Sequence, residues 1–174
     1  AAAQVANIAQ SSLNENVEHP GALHYMIHSY DDPENAFKAL KAANSYAKVA
    51  PDAAHALHMP SHIYVALGMW DEVISSNIAS YNASVKRMEE KGLDNSGRSY
   101  HALAWLMYGH LQKGEVKEAD QIMKDMAGYV DATPTKRARA YFSRMIGAYI
   151  VETGNWTSDW GQYEMDYKDL NITI

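Results

Sequence analysis

Apolar residues along this chain recur three and four positions apart over long stretches, and the strict alternation expected of a half-buried strand is nearly absent. Ala, Leu, Met, Lys and Glu fill these stretches, which suits helix. The pattern predicts about eight helices, over roughly 2–13, 21–31, 33–49, 52–67, 70–91, 98–113, 115–128 and 135–153. A ninth is expected near 156–168, where Trp156, Trp160, Tyr163 and Tyr167 return at helical spacing. The breaks between them carry recognisable punctuation: His19-Pro20-Gly21, Asp31-Asp32-Pro33, Ala50-Pro51-Asp52, Gly68, Gly92, Asn95-Ser96-Gly97, Gly114, Thr133-Pro134 and Gly154. Connections this short imply antiparallel neighbours, so the expectation is an all-α chain forming one domain over 1–174.

Aligning the segments on Glu34, Gly68, Gly114 and Gly154 exposes an internal repeat. The first spacing is 34 residues and the later ones are 46 and 40, which asks for longer helices or loops. Two residues past the turns stand Ala36, Trp70, Val116 and Trp156; five past stand Ala39, Val73 and Ala119, with Asp159 breaking the series. Four residues before the turns stand Tyr30, Tyr64, His110 and Ile150. This register, best developed in Gly68-Met69-Trp70-Asp71-Glu72-Val73, resembles the tetratricopeptide repeat (TPR) family over roughly residues 21–160. The stretches His19 to Tyr25 and His55 to His62 resemble bacterial TPR-containing proteins of unassigned function. The resemblance implies a TPR-like α-solenoid of three to four stacked helix pairs, about 21–50, 52–91, 98–128 and 135–168, with first helices lining a concave groove.

Histidine is the candidate chemistry. Of the eight in the chain, His19, His24, His28, His55, His58 and His62 fall within 44 consecutive residues. His24 with His28, and His58 with His62, are spaced four apart, so each pair projects from one face of its helix and could chelate a metal. The two pairs also occupy equivalent repeat positions, ten and six residues before their turns. The family resemblance puts those positions on the groove, together with Tyr25, Asp31, His55, His101 and Tyr108. Imidazole with a nearby carboxylate suits zinc first, then copper or nickel. Two blander readings compete. Pro60 interrupts the helix carrying His58 and His62, and histidines near helix ends such as His19 often cap or fill space.

Composition narrows the partners. Hydrophobic residues make up 47% and charged residues 21%, too apolar for a disordered chain. A formal charge of −6 argues against nucleic acid, and Lys136-Arg137-Ala138-Arg139 is too short a basic cluster to reverse that. There is no cysteine, which excludes disulfides and thiolate metal sites and leaves bacterial cytoplasm, periplasm and exterior all open. No run approaches the length of a membrane span, and an uncapped helical start without Met predicts a piece of a longer protein. The zincin His-Glu-x-x-His pattern, the Gly-x-Ser-x-Gly elbow and a phosphate loop are all absent. The expected function is therefore a binding or scaffold module for a peptide, protein or small ligand. A metal-dependent hydrolase using His24, His28, His58 and Asp31 is the alternative, and a structural spacer is a third.

Overall fold

The computed structural model describes residues 2–170 of the chain; Ala1 and residues 171–174, the two ends of the expected 1–174 span, lie outside them. The described residues are all-helical, with no strand among them. The chain divides into two compact units, residues 1–83 and 84–174.

The first unit begins with α1 (Ala2–Glu15) and α2 (Pro20–Ser29), which pack on each other through Ala6, Ala9, Leu13, Ala22, Leu23 and Met26. His19 starts α2: its Nδ1 accepts the Ala22 N–H at 3.2 Å, while Pro20 fills the first helical position, where no N–H is needed. The expected helix over 33–49 opens instead as a 3-10 turn, Ala36–Ala39, before α3 (Leu40–Val49). Asp32 is the cause, because its Oδ1 takes the N–H groups of Glu34 and Asn35 and the Asn35 side-chain amide, offering the backbone an alternative to the α-helical ladder.

The expected helix over 52–67 is notched into α4 (Ala54–His58) and α5 (Pro60–Ala66). Pro60 has no N–H, yet Met59 keeps right-handed helical angles, φ −52° and ψ −38°, so the two pieces continue in one direction. Ile27, Met59 and Ile63 are fully buried here, each worth roughly 1.5–3 kcal/mol, and the many small core residues let neighbouring helices approach closely. At the end of α5, Gly68 at φ 69° leads into α6 (Trp70–Glu90). The Met69 N–H reaches Tyr64 O at 2.8 Å and the Gly68 N–H reaches Val65 O at 3.1 Å, a Schellman stop.

The boundary between the units falls inside α6. In the second unit, α7 (Tyr100–Gln112), α8 (Val116–Ala132) and α9 (Lys136–Thr153) pack pairwise around Tyr100, Met107, Met123, Met126, Phe142 and Met145. Gly114 repeats the Gly68 device: at φ 74° it lets the Glu115 N–H reach His110 O and its own N–H reach Leu111 O, both at 2.9 Å.

The ninth helix expected near 156–168 is a single 3-10 turn, Asp159–Gln162. A Cβ on Gly161 would lie 2.9 Å from Trp156 O, so the chain turns back too tightly there for a regular helix. The aromatic spacing reports packing instead. Trp160 and Tyr163 set their rings edge-on to Phe142 at 6.0 and 5.0 Å, and Trp160 Nε1 donates to Asp120 at 2.8 Å.

Candidate histidine site

The site is assembled within the first unit from α2, α4 and α5. The four-residue spacing on α2 puts His24 and His28 on one face, and their Nε2 atoms stand 3.0 Å apart. His55, on the first turn of α4, brings its Nε2 to 3.3 Å from the same His24 nitrogen. The His24 ring lies nearly parallel to Tyr46 of α3, with centroids 5.7 Å apart, and is thereby held from behind. His28 and His55 are solvent-exposed; His24 is half-buried.

The second pair survives the proline: the rings of His58 and His62 meet edge to face at 5.1 Å. Their Nδ1 atoms, however, are engaged elsewhere. His58, 2% exposed, sits with Nδ1 2.7 Å from Asn77 Oδ1. Asn77 donates its amide to Val73 O at 2.8 Å, which turns Oδ1 toward the ring and makes His58 Nδ1 the donor. His62 Nδ1 is 2.8 Å from Asp31 Oδ2 in an Asp–His pair. In both rings this leaves Nε2 as the lone-pair nitrogen of the neutral form. His28 connects the two halves, its centroid 6.0 Å from that of His62.

Electrostatics favour neutral imidazole at the His24 end. Burial, followed by the charges of His28, His55 and His62, holds His24 below its ordinary 6.5. Burial, then His28 and His62, does the same to His55. Asp31 is held below the usual carboxylate range, chiefly by the His62 hydrogen bond, so the Asp–His pair keeps an ionised carboxylate near the cluster.

Tyr25, His101 and Tyr108 are the remaining expected groove residues. Tyr25 is 58% exposed with its ring 5.9 Å from His24; it lines a shallow cavity of about 410 Å³ with Val5, Ile8 and Gly21. His101 and Tyr108 belong to α7 of the second unit, where the His101 ring lies 5.7 Å from Trp105 and 6.0 Å from Tyr141. Burial, and secondarily the charge of Glu152, pushes the Tyr108 phenol up.

No protein-family model, curated protein or solved structure matches the chain. The site therefore rests on its own geometry. Among the described residues, no helix is long and apolar enough to cross a membrane.

Two participants escaped the sequence reading, Asn77 and Tyr46. Asn77 had a signal: with Ser80, whose hydroxyl donates to Ala54 O at 2.6 Å, it forms a short polar stripe at helical spacing on α6 that both residues bury. Tyr46 had none, because an aromatic at core spacing on α3 reads as packing.

Proposed function

We propose that the chain is a TPR-like helical binding module whose ligand face is the histidine wall of the first unit, recognising a peptide, protein or small ligand. One observation carries this reading. Five histidines from α2, α4 and α5 form a linked set of rings, with neighbouring centroids 4.6 to 6.0 Å apart, and His28 and His55 open to solvent. A core built only for stability would not gather so many polar rings at an accessible face. The Schellman stops at Gly68 and Gly114, identical in their hydrogen bonds, support the tetratricopeptide-like part of the proposal.

The alternative, a metal-dependent hydrolase, draws on the His62–Asp31 pair, since a carboxylate-oriented imidazole is a common supporting element in such sites. Selection from a random peptide library, on the wild-type protein and on a Tyr25→Ala, His55→Ala double variant, decides between the two. The binding reading expects an enriched sequence class that loses at least ~10-fold in affinity for the variant, about 1.4 kcal/mol. Failure to enrich any class overturns it. Metal-dependent turnover of a p-nitrophenyl ester, abolished in the same variant, would install the hydrolase instead.

A further inference from the structure

We propose that His58 and His62 bind a single divalent transition-metal ion of the zinc, nickel and copper class through their Nε2 atoms. The inference rests on reading the histidine wall as a ligand face and names what binds there first. Its starting point is helical register. A proline inside a helix ordinarily disturbs the face it interrupts, but Met59 keeps right-handed angles, φ −52° and ψ −38°, so His58 and His62 stay one turn apart on a common face. Their rings meet edge to face at 5.1 Å, and a ring nitrogen of each lies within 4.8 Å of the other. Two nitrogens bound to one ion at about 2.0–2.1 Å stand about 2.8–3.4 Å apart, so modest ring rotation brings both onto one centre.

Both rings are held by the nitrogen that faces away from the ion. Asn77 Oδ1 lies 2.7 Å from His58 Nδ1, and Asp31 Oδ2 lies 2.8 Å from His62 Nδ1. The Asn77 amide is turned in its own right by its bond to Val73 O, which leaves its oxygen toward the ring. An acceptor at Nδ1 keeps the proton there, orients the ring and raises the basicity of Nε2, the arrangement by which histidine is made a metal ligand. Here both members of one four-residue pair have it. The backbone beneath is fixed as well, since the buried Ser61 hydroxyl donates to His58 O at 2.6 Å. Charge points the same way. Protons on both Nε2 atoms would place like charges on adjoining rings, whereas one shared ion sits between two lone pairs. The ionised Asp31 carboxylate beside His62 offsets part of the ion's charge. His58 is 2% exposed and supplies a dry, low-dielectric end to the site, while the His62 side chain, 19% exposed, gives the ion a way in from solvent.

Two imidazoles fill half of a tetrahedral shell and leave positions for water or for a donor on the module's partner, such as a carboxylate or an imidazole. The metal would then bridge protein and ligand.

Calorimetric titration of the chelator-treated protein with Zn²⁺ tests the proposal, read together with long-range ¹H–¹⁵N spectra of the histidine rings. The expected result is one zinc per chain, with the Nε2 resonances of His58 and His62 shifted and both Nδ1 protons retained. His58→Ala and His62→Ala should each weaken zinc by at least ~10-fold, and Asp31→Ala, which leaves both ligands in place, by roughly 10-fold. His110→Ala, whose ring bonds Glu115 in the second unit, should leave zinc binding unchanged. Circular dichroism of each variant separates ligand loss from unfolding; should the buried His58→Ala unfold, the partly exposed His62→Ala carries the test. No zinc binding, binding insensitive to His62→Ala, or zinc shifts confined to His24, His28 and His55 would overturn the inference. A protein that binds selected peptides without zinc would refute this site and keep the module; one that holds zinc on His58 and His62 but selects no peptide would do the reverse.

Discussion

The two compact units use helices in opposite ways. In the first, α2, α3, α4 and α5 have 10, 10, 5 and 7 residues, and the core holds many alanines together with the polar groups His58, Ser61, Asn77 and Ser80. In the second, α7, α8 and α9 have 13, 17 and 18 residues and enclose Met107, Met123, Met126, Met145, Tyr100 and Phe142. Long uninterrupted helices bury large apolar side chains along one continuous face. Short helices cut by Asp32 and Pro60, and packed close through small residues, instead bring ring side chains from different segments to one place. The linked histidine rings thus stand where helical regularity is lowest.

On that contrast, the largest effect should come from the apolar unit. Phe142, fully buried beneath Trp160 and Tyr163, should cost roughly 3–5 kcal/mol as Phe142→Ala in denaturant unfolding. A loss under about 1 kcal/mol would mean that this core collapses without strain and that the distinction between the units is wrong.

The polar unit should respond to loss of a partner rather than of volume. Asn77→Ala removes the acceptor of the buried His58 Nδ1–H and the donor to Val73 O, and should destabilise by about 1–3 kcal/mol. Measuring the His58→Ala, Asn77→Ala cycle sharpens the point: strong coupling is expected, and additive losses would remove the buried pair from the account.

A smaller effect tests what the units share. Gly68→Ala and Gly114→Ala meet no neighbouring atoms, so each measures only the strain of a left-handed conformation, about 1–2 kcal/mol. Equal losses in chemical denaturation would support equivalent turns. A loss at Gly114 alone would end the repeat comparison.

The smallest effect is a pH dependence in the second unit. Burial pushes the Asp120 carboxyl up, but hydrogen bonds from Lys124 and Trp160, with the Lys124 charge, more than reverse that and leave it below its ordinary 3.8. Its contribution is therefore fully present above 3.8 and lost as pH falls through the lower native value. Tryptophan fluorescence followed between about pH 5 and 2 should show Trp160 released as the carboxylate titrates, and Asp120→Asn should flatten that step. A wild-type signal unchanged by the substitution would show that the latch does not depend on the charge.

Much of this arrangement was legible from residue spacing. The four-residue intervals of His24 with His28 and of His58 with His62 foretold which rings would share a face, and Gly68 and Gly114 marked their turns. The same logic failed at 156–168, where aromatic periodicity came from rings packing on Phe142. It was incomplete for the site as well: His55 lies thirty-one residues from His24 in sequence, and no local rule says that their nitrogens meet.

By itself the sequence determined the all-helical class, the positions of the glycine stops and the concentration of imidazoles in one segment, because periodicity, capping and backbone freedom act within a few residues. Only the tertiary structure decided which imidazoles face one another and which are engaged by Asn77 and Asp31. Those choices depend on how α2, α4, α5 and α6 pack, and packing is settled by the burial of Ile27, Met59, Ile63 and Val73, apolar contacts that fix distance without specifying a polar partner.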